Sequence, residues 1–253
     1  MRIISEIFLF ILFLSFFSCA EKTQFPEKKS GKFPATSVIL NQNIFEFQSS
    51  VSDSLSEPVI SNEMERLKKF VSDYENHREN FSLEKMKLLW ESENKKNDFN
   101  LRFDITDWIE VTGFLLEITG KPVYAEALEK LSKAEILSFS DSTIEAAANQ
   151  LTPYIFTKNI DHVFVNLFVN SSVEYVHSLG GKVKITQVTE DSVTVVLKFN
   201  MEEKRYIELN ILIPSWAKNA TVTEKNVKYV ATPGEYSFIA RKWGEGDFVE
   251  VNF

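Results

Sequence analysis

Two periodicities divide the chain. From about residue 62 to residue 151 apolar side chains recur at helical spacing, and beyond Asp161 they alternate. Asn62 stands as an N-cap with Glu65 three residues on, and Met64, Leu67, Phe70, Val71 and Tyr74 form one stripe. Ser82 to Asn94 carries Leu83, Met86, Leu89 and Trp90. A third helix starts at about Asp104 and is apolar nearly all round, with Ile105, Trp108, Ile109, Val111, Phe114, Leu115, Leu116 and Ile118. A helix of that kind is buried on most sides. Gly120 ends it and Pro122 opens another bearing Tyr124, Leu128 and Leu131, which is the signature of an αα-hairpin. A last short helix fits Ser142 to Leu151, and the change of period places a division near Pro153.

In the second half Val163, Val165, Leu167 and Val169 alternate with Phe164, Asn166, Phe168 and Asn170, predicting one strand with apolar residues on both faces. Further strands are predicted at 183–185, 193–197, 206–211, 220–222, 227–230, 236–239 and 248–253. Gly180-Gly181, Glu190-Asp191, Pro233-Gly234 and the run 244–247 punctuate them. Eight short strands at this spacing predict an antiparallel sandwich. The fold class is therefore α+β, helices first and a β-sandwich after. No internal repeat is present.

The amino terminus follows neither pattern. Ile7 to Phe17 is apolar except for Ser15, and is too short for a bilayer core of about 30 Å, which takes about 20 residues. Cys19, the protein's single cysteine, stands where that run stops. The arrangement resembles a bacterial lipoprotein signal, although Phe16 occupies the position usually held by Leu and Glu6 offsets Arg2. The resemblance implies lipidation of Cys19 and a protein held on a membrane of the bacterial cell envelope. Residues 20–37 are polar, Lys-rich and interrupted by Pro26, Gly31 and Pro34, with too little apolar area to offset their ordering entropy. They read as a flexible tether. The expected organisation is a signal over 1–19, a tether over 20–37, a helical region over 38–158 and a sandwich over 159–253.

Charge and cysteine count narrow the chemistry. The chain carries 28 basic and 36 acidic residues, a net of −8, which speaks against a nucleic-acid partner. One cysteine forms no internal disulfide and builds no Cys-rich zinc site. His77, His162 and His177 fit no metal-ligand spacing. No metal site and no cofactor are expected.

A set of ordered motifs covers about Phe103 to Phe253. Ile213-Pro214-Ser215-Trp216-Ala217, then Pro233-Gly234-Glu235-Tyr236, then Arg241-Lys242-Trp243-Gly244-Glu245-Gly246-Asp247 resemble the strand end and two turns of glycoside hydrolase family 127, the β-L-arabinofuranosidase-like enzymes. Val165-Asn166-Leu167-Phe168-Val169-Asn170-Ser171 is similar to that family's "VNLYxxS" strand. Leu115 to Gly120 with Tyr124, Glu126 and Glu129 is similar to its "LFxxTGxxxYADxxE" helix pair. The resemblance implies a helical region that is part of an (α/α)₆ barrel, followed by the sandwich. Family enzymes are much longer, and here four or five helices stand in place of twelve.

The same resemblance implies a thiolate nucleophile beside a zinc ion held by three Cys and one Glu. The corresponding "ExC" positions fall at Leu101 and Phe103, and "CCxxN" falls on Glu145, Ala146 and Asn149. No cysteine follows Cys19, so this chain performs no thiolate chemistry of its own there. The remaining acids with catalytic spacing are Asp104, Asp107 and Glu110, three apart on one helix face, where a pair of carboxylates is what a glycosidase needs. The preferred account is that Asp104 or Asp107 caps the helix and Glu110 is solvated, since acids in a first turn complement the helix dipole. A Ser142–Glu145 capping box accounts for Glu145. Trp216 and Trp243 are the candidates for a sugar-stacking platform, with packing at the sandwich edge as the competing role.

The expectation is a membrane-anchored lipoprotein resembling a truncated, non-catalytic member of that family, with a glycan-binding or accessory role in carbohydrate processing. Its partners are then a membrane, a glycan or another protein. Two alternatives stand beside it: a glycosidase of plant-type glycans working through carboxylates or with a partner subunit, and a structural envelope protein.

Overall fold

The computed structural model describes residues 30–33, 38–40, 62–96, 104–133, 141–190 and 193–253. Cys19, most of the tether, and Leu101 and Phe103 lie outside the described residues. Five helices are described: α1 (Asn62–His77), α2 (Asn80–Asn94), α3 (Ile105–Thr119), α4 (Pro122–Lys133) and α5 (Asp141–Ile155).

The nearly continuous apolar surface of α3 makes it the centre of the helical layer, where it packs against α1, α4 and α5. Asp104 caps its start by accepting the Thr106 N–H at 2.8 Å. Gly120 ends it in the left-handed conformation (φ +64°), donating its N–H to the Leu116 carbonyl at 2.8 Å. Trp90 of α2 stacks on Trp108 (centroids 5.7 Å apart) and meets Tyr124 edge-on at 4.6 Å. Its indole N–H donates to the Thr112 hydroxyl at 2.8 Å, so the buried ring leaves no donor unpaired. Gly113 of α3 lies directly beneath the buried ring of Tyr154 from α5, and a Cβ there would stand 2.0 Å from that ring. The expected end of the last helix at Leu151 is corrected: α5 runs through Pro153 to Ile155. Pro153 removes one backbone donor in the last turn, while the added residues place Tyr154 and Ile155 in the core.

The strands are β1 (Gly31–Lys32), β2 (Val38–Leu40), β3 (Phe156–Asn159), β4 (His162–Val165), β5 (Ser171–Val176), β6 (Lys182–Thr189), β7 (Thr194–Met201), β8 (Arg205–Leu212), β9 (Thr221–Glu224), β10 (Val227–Val230), β11 (Tyr236–Trp243) and β12 (Phe248–Asn252). They form a five-stranded sheet, β1-β3-β4-β8-β11, and a seven-stranded sheet, β10-β9-β12-β7-β6-β5-β2. Val163, Ile207 and Leu209 from the first sheet and Val183, Ile185, Leu197 and Val251 from the second share one buried core with the helices. All neighbouring strands are antiparallel, as the expected sandwich requires, except β4 and β8, which run parallel with Val163 opposite Leu209.

Three other departures have physical causes. The single strand expected over 163–169 ends at Val165, because the Asn166 side chain is drawn inward and breaks the alternation. Gln187 holds the turn that follows, its Nε2 donating to the carbonyls of Leu167 (3.0 Å) and Val169 (2.6 Å). Second, β1 pairs with β3 inside the stretch read as polar, since Phe33 buries beside Tyr175 (centroids 5.4 Å apart) and Lys32 lies over the Tyr154 ring at 4.6 Å. Third, β2 pairs with β5. Strands contributed from before the helices thus border both sheets.

Candidate functional site

The motif residues assemble at the junction between helices and sandwich. On α4, Glu126 accepts hydrogen bonds from the Ser215 N–H (3.1 Å) and from the Ser215 hydroxyl. One turn further along the same helix, the buried Glu129 accepts the Phe168 N–H at 3.0 Å. Each carboxylate therefore satisfies a backbone amide at the end of a strand, where the sheet ladder stops.

Asn166 is fully buried and spends its side chain on the same junction. Its Nδ2 donates to the Tyr154 carbonyl (3.0 Å) and the Thr157 hydroxyl (3.1 Å), and its Oδ1 accepts from the Tyr236 hydroxyl at 2.6 Å. Burial pushes the Tyr236 hydroxyl far above its ordinary pKa, so it donates at every physiological pH. The turn before Tyr236 needs its glycine: Gly234 has φ +80° and donates to the Ile213 carbonyl at 2.7 Å, while the Ile213 N–H donates to Glu235 at 2.9 Å.

The 241–247 turn is a closed ion-pair and ring cluster. Trp243 is fully buried, stacked on Phe199 (4.2 Å, 13°) beneath the Arg241 guanidinium (4.0 Å), and its indole N–H donates to the Ile207 carbonyl at 2.9 Å. Neither face of that ring is available to a sugar, which corrects its candidacy as a stacking platform. Arg241 pairs with Asp247 at 3.1 Å and Glu224 at 2.9 Å, and Gly244 donates its N–H to Asp247 at 2.9 Å.

Burial pushes the Asp247 carboxyl upward, but the Arg241 guanidinium, the Gly244 amide and the Lys225 charge outweigh it, leaving the net pKa below the ordinary value. A carboxylate depressed in the folded state contributes stability above its unfolded pKa of about 4, and that contribution disappears as pH falls through the folded value. Asp247→Asn should therefore have a lower urea midpoint than the wild type at pH 7. The difference should shrink on acidification to about pH 3, and an unchanged difference across that range would refute the assignment.

Trp216 behaves differently. It is 48% exposed and leans on Phe253 with centroids 5.6 Å apart, while Phe253 meets Phe168 at 4.7 Å. It remains a ring that a ligand can reach.

The three spaced acids of α3 do not act as a pair. Asp104 is the helix cap, Asp107 accepts from Lys68 of α1 at 2.7 Å, and Glu110 is exposed. The Asp107 carboxylate in turn holds the Lys68 ammonium above its ordinary pKa. Glu145, Ala146 and Asn149, the positions matching the "CCxxN" element, lie on the exposed side of α5. Among the described residues no group of three or more His, Cys, Asp or Glu side chains is arranged to hold a metal ion. With an alanine and an outward-facing glutamate at those positions, the described residues do not fit the zinc centre implied by the resemblance.

The histidines are occupied elsewhere. His77 faces the Asp73 carbonyl at 3.2 Å and His162 faces Glu208 at 3.0 Å. The buried His177 accepts the Leu179 N–H at Nδ1 (3.1 Å) and directs Nε2 to the Tyr206 carbonyl (2.9 Å). Ser178 donates its hydroxyl to Asp161 at 2.7 Å and not to His177, so Ser178, His177 and Asp161 are neighbours without being a catalytic triad.

Residues 162–253 match the family model of the beta-L-arabinofuranosidase, GH127 middle domain. The chain is GH127-like over its sandwich. Solved structures that the chain resembles in part include a glycoside hydrolase (19% identical, TM-score 0.49, covering 58% of this chain and 32% of that one). Another is a GH127 beta-L-arabinofuranosidase from Geobacillus stearothermophilus T6 (22% identical, TM-score 0.47, covering 59% and 30%). A third is a GH127 beta-arabinofuranosidase (18% identical, TM-score 0.48, covering 58% and 32%). The chain thus spans about a third of the length of these structures, and it matches no curated protein. Tyr236, Gly234, Asn166 and Trp243 of this GH127-like part are among the residues that carried the resemblance, and these four work in the scaffold.

Proposed function

We propose that this GH127-like protein is a membrane-anchored lipoprotein without hydrolytic activity of its own, acting in carbohydrate processing as a glycan-binding accessory. One observation carries the reading: Glu126, Glu129 and Asn166, all in motifs that resemble the family, tie the helices to the sandwich, while Glu145 and Ala146 stand outward at the positions matching the family's paired cysteines. A surface that keeps the architecture and lacks the thiolates retains the means to hold a sugar and not the means to cleave it. Cys19, as the single cysteine of the chain at the end of its apolar run, supports the anchor.

The full chain, extracted in detergent, should contain no stoichiometric zinc, should leave an aryl β-L-arabinofuranoside intact, and should bind arabinose-containing polysaccharides on a glycan array. Stoichiometric zinc overturns the non-catalytic reading, as does turnover that disappears in Asp107→Asn. Cys19→Ser should move the protein from the membrane fraction to the soluble fraction; retention in the membrane overturns the anchor.

A further inference from the structure

We infer that the outer face of the five-stranded sheet is a binding surface for an uncharged polysaccharide, laid across β4, β8 and β11. The inference rests on the glycan-binding reading above and assigns it to a place distinct from Trp216.

Phe238 is 68% exposed and Tyr206 49% exposed on a regular sheet face, where rings usually find cover. Strand register organises them. Phe164 of β4 and Phe238 of β11 lie in one row on either side of Asn210, which is opposite both. Those two positions are separated by two strand spacings, roughly 10 Å, the reach of two consecutive sugar rings. Tyr236 closes the row from beside Phe164, edge-on at 5.4 Å.

The next row supplies the polar groups. His162, Glu208 and Ala240 stand opposite one another, with His162 Nδ1 3.0 Å from Glu208 Oε1 and Asn210 Nδ2 3.2 Å from the same oxygen. Ala240 leaves the floor low between the flanking Phe238 and Lys242 on β11, so a flat ligand meets no tall side chain there. Aromatic rings offer their faces to the C–H groups of a sugar, and the Glu208 carboxylate with the exposed His162 beside it directs its hydroxyls, over a floor that includes the buried Asn210.

Charge selects the class of occupant. Glu208 and Lys242 offset each other on this face, whereas the chain as a whole carries −8. An uncharged polymer suits a face with no charge excess; a polyanion or a basic peptide does not.

The test is affinity electrophoresis of the full chain in detergent through gels containing arabinan or xylan, with Phe238→Ala, Tyr206→Ala and Trp216→Ala run beside the wild type. All three side chains are exposed, and unchanged thermal midpoints verify that the fold is intact. The expected result is at least a tenfold weakening in Phe238→Ala and Tyr206→Ala. Undiminished binding in Phe238→Ala overturns the inference while leaving the glycan-binding reading in place. No retardation of the wild type by either polysaccharide overturns this inference, and a blank glycan array in addition overturns that reading. A change in oligomeric state of Phe238→Ala, without a change in retardation, marks the face as a protein contact and also overturns it.

Discussion

Trp243→Ala should lower stability by about 3–5 kcal/mol, the usual cost of truncating a fully buried large aromatic side chain. The indole fills the space between Phe199 and Arg241 and satisfies the Ile207 carbonyl, so its removal leaves a cavity, an unstacked guanidinium and an orphaned acceptor together. For a chain of this size the thermal midpoint should fall by roughly 10 °C. At a temperature where the variant remains folded, its affinity for polysaccharide should equal that of the wild type. A variant of wild-type stability with lost sugar affinity would return Trp243 to the role of a stacking platform.

Gly113→Ala should be the most damaging single methyl in the helical layer, at about 2–3 kcal/mol for forced overpacking. The added Cβ would sit 2.0 Å from the Tyr154 ring. That ring is buried, overlaid by Lys32 at 4.6 Å, and carried on a helix whose next residues begin β3, so it has no room to swing aside. Burial also drives the Tyr154 hydroxyl well above its ordinary pKa, reinforced by the charges of Glu117 and Glu110. A double-mutant cycle separates the cause: in a Tyr154→Ala background the same Gly113→Ala change should cost little, and an equal cost in both backgrounds would locate the strain elsewhere.

The helices were legible because their signals are local. Asp104 and Gly120 bound α3 as cap and left-handed stop, with hydrogen-bond partners only two and four residues away. The strands β6 to β12 were legible for a similar reason, with alternation bounded by turns. What escaped was decided by distant partners. β1 and β2 are two and three residues long and exist because β3 and β5 accept them more than a hundred residues later. Val163 to Val169 alternates like one strand, and only the burial of Asn166 against Tyr154, Thr157 and Tyr236 shows why the chain must turn there.

The site followed the same rule. Trp216 and Trp243 look alike in sequence, each beside a turn, and differ because Trp243 alone has a ring from the opposite sheet to stack on. Phe238 and Tyr206 carry no sequence signal at all. They become a surface through the pairing of β11 with β8, which puts Tyr236 opposite Leu212 and Trp243 opposite Arg205 and so sends Phe238 outward. Glu126 and Glu129, read as parts of a helix-pair motif, proved to be acceptors for amides 89 and 39 positions away.

The placement of β12 has a consequence for timing. Phe248–Asn252 is the latest described strand in the sequence, yet it lies inside the seven-stranded sheet, between β7 and β9. The β9–β10 hairpin joins that sheet only through it. During synthesis, therefore, no growing chain can complete the sheet until Asn252 has emerged, and the β9–β10 pair waits without a neighbour until then. Pairings as remote as Lys32 with Thr157 make the closing steps slow as well. Closure of the seven-stranded sheet is thus a late step, and the β9–β10 hairpin is the part left exposed until it occurs.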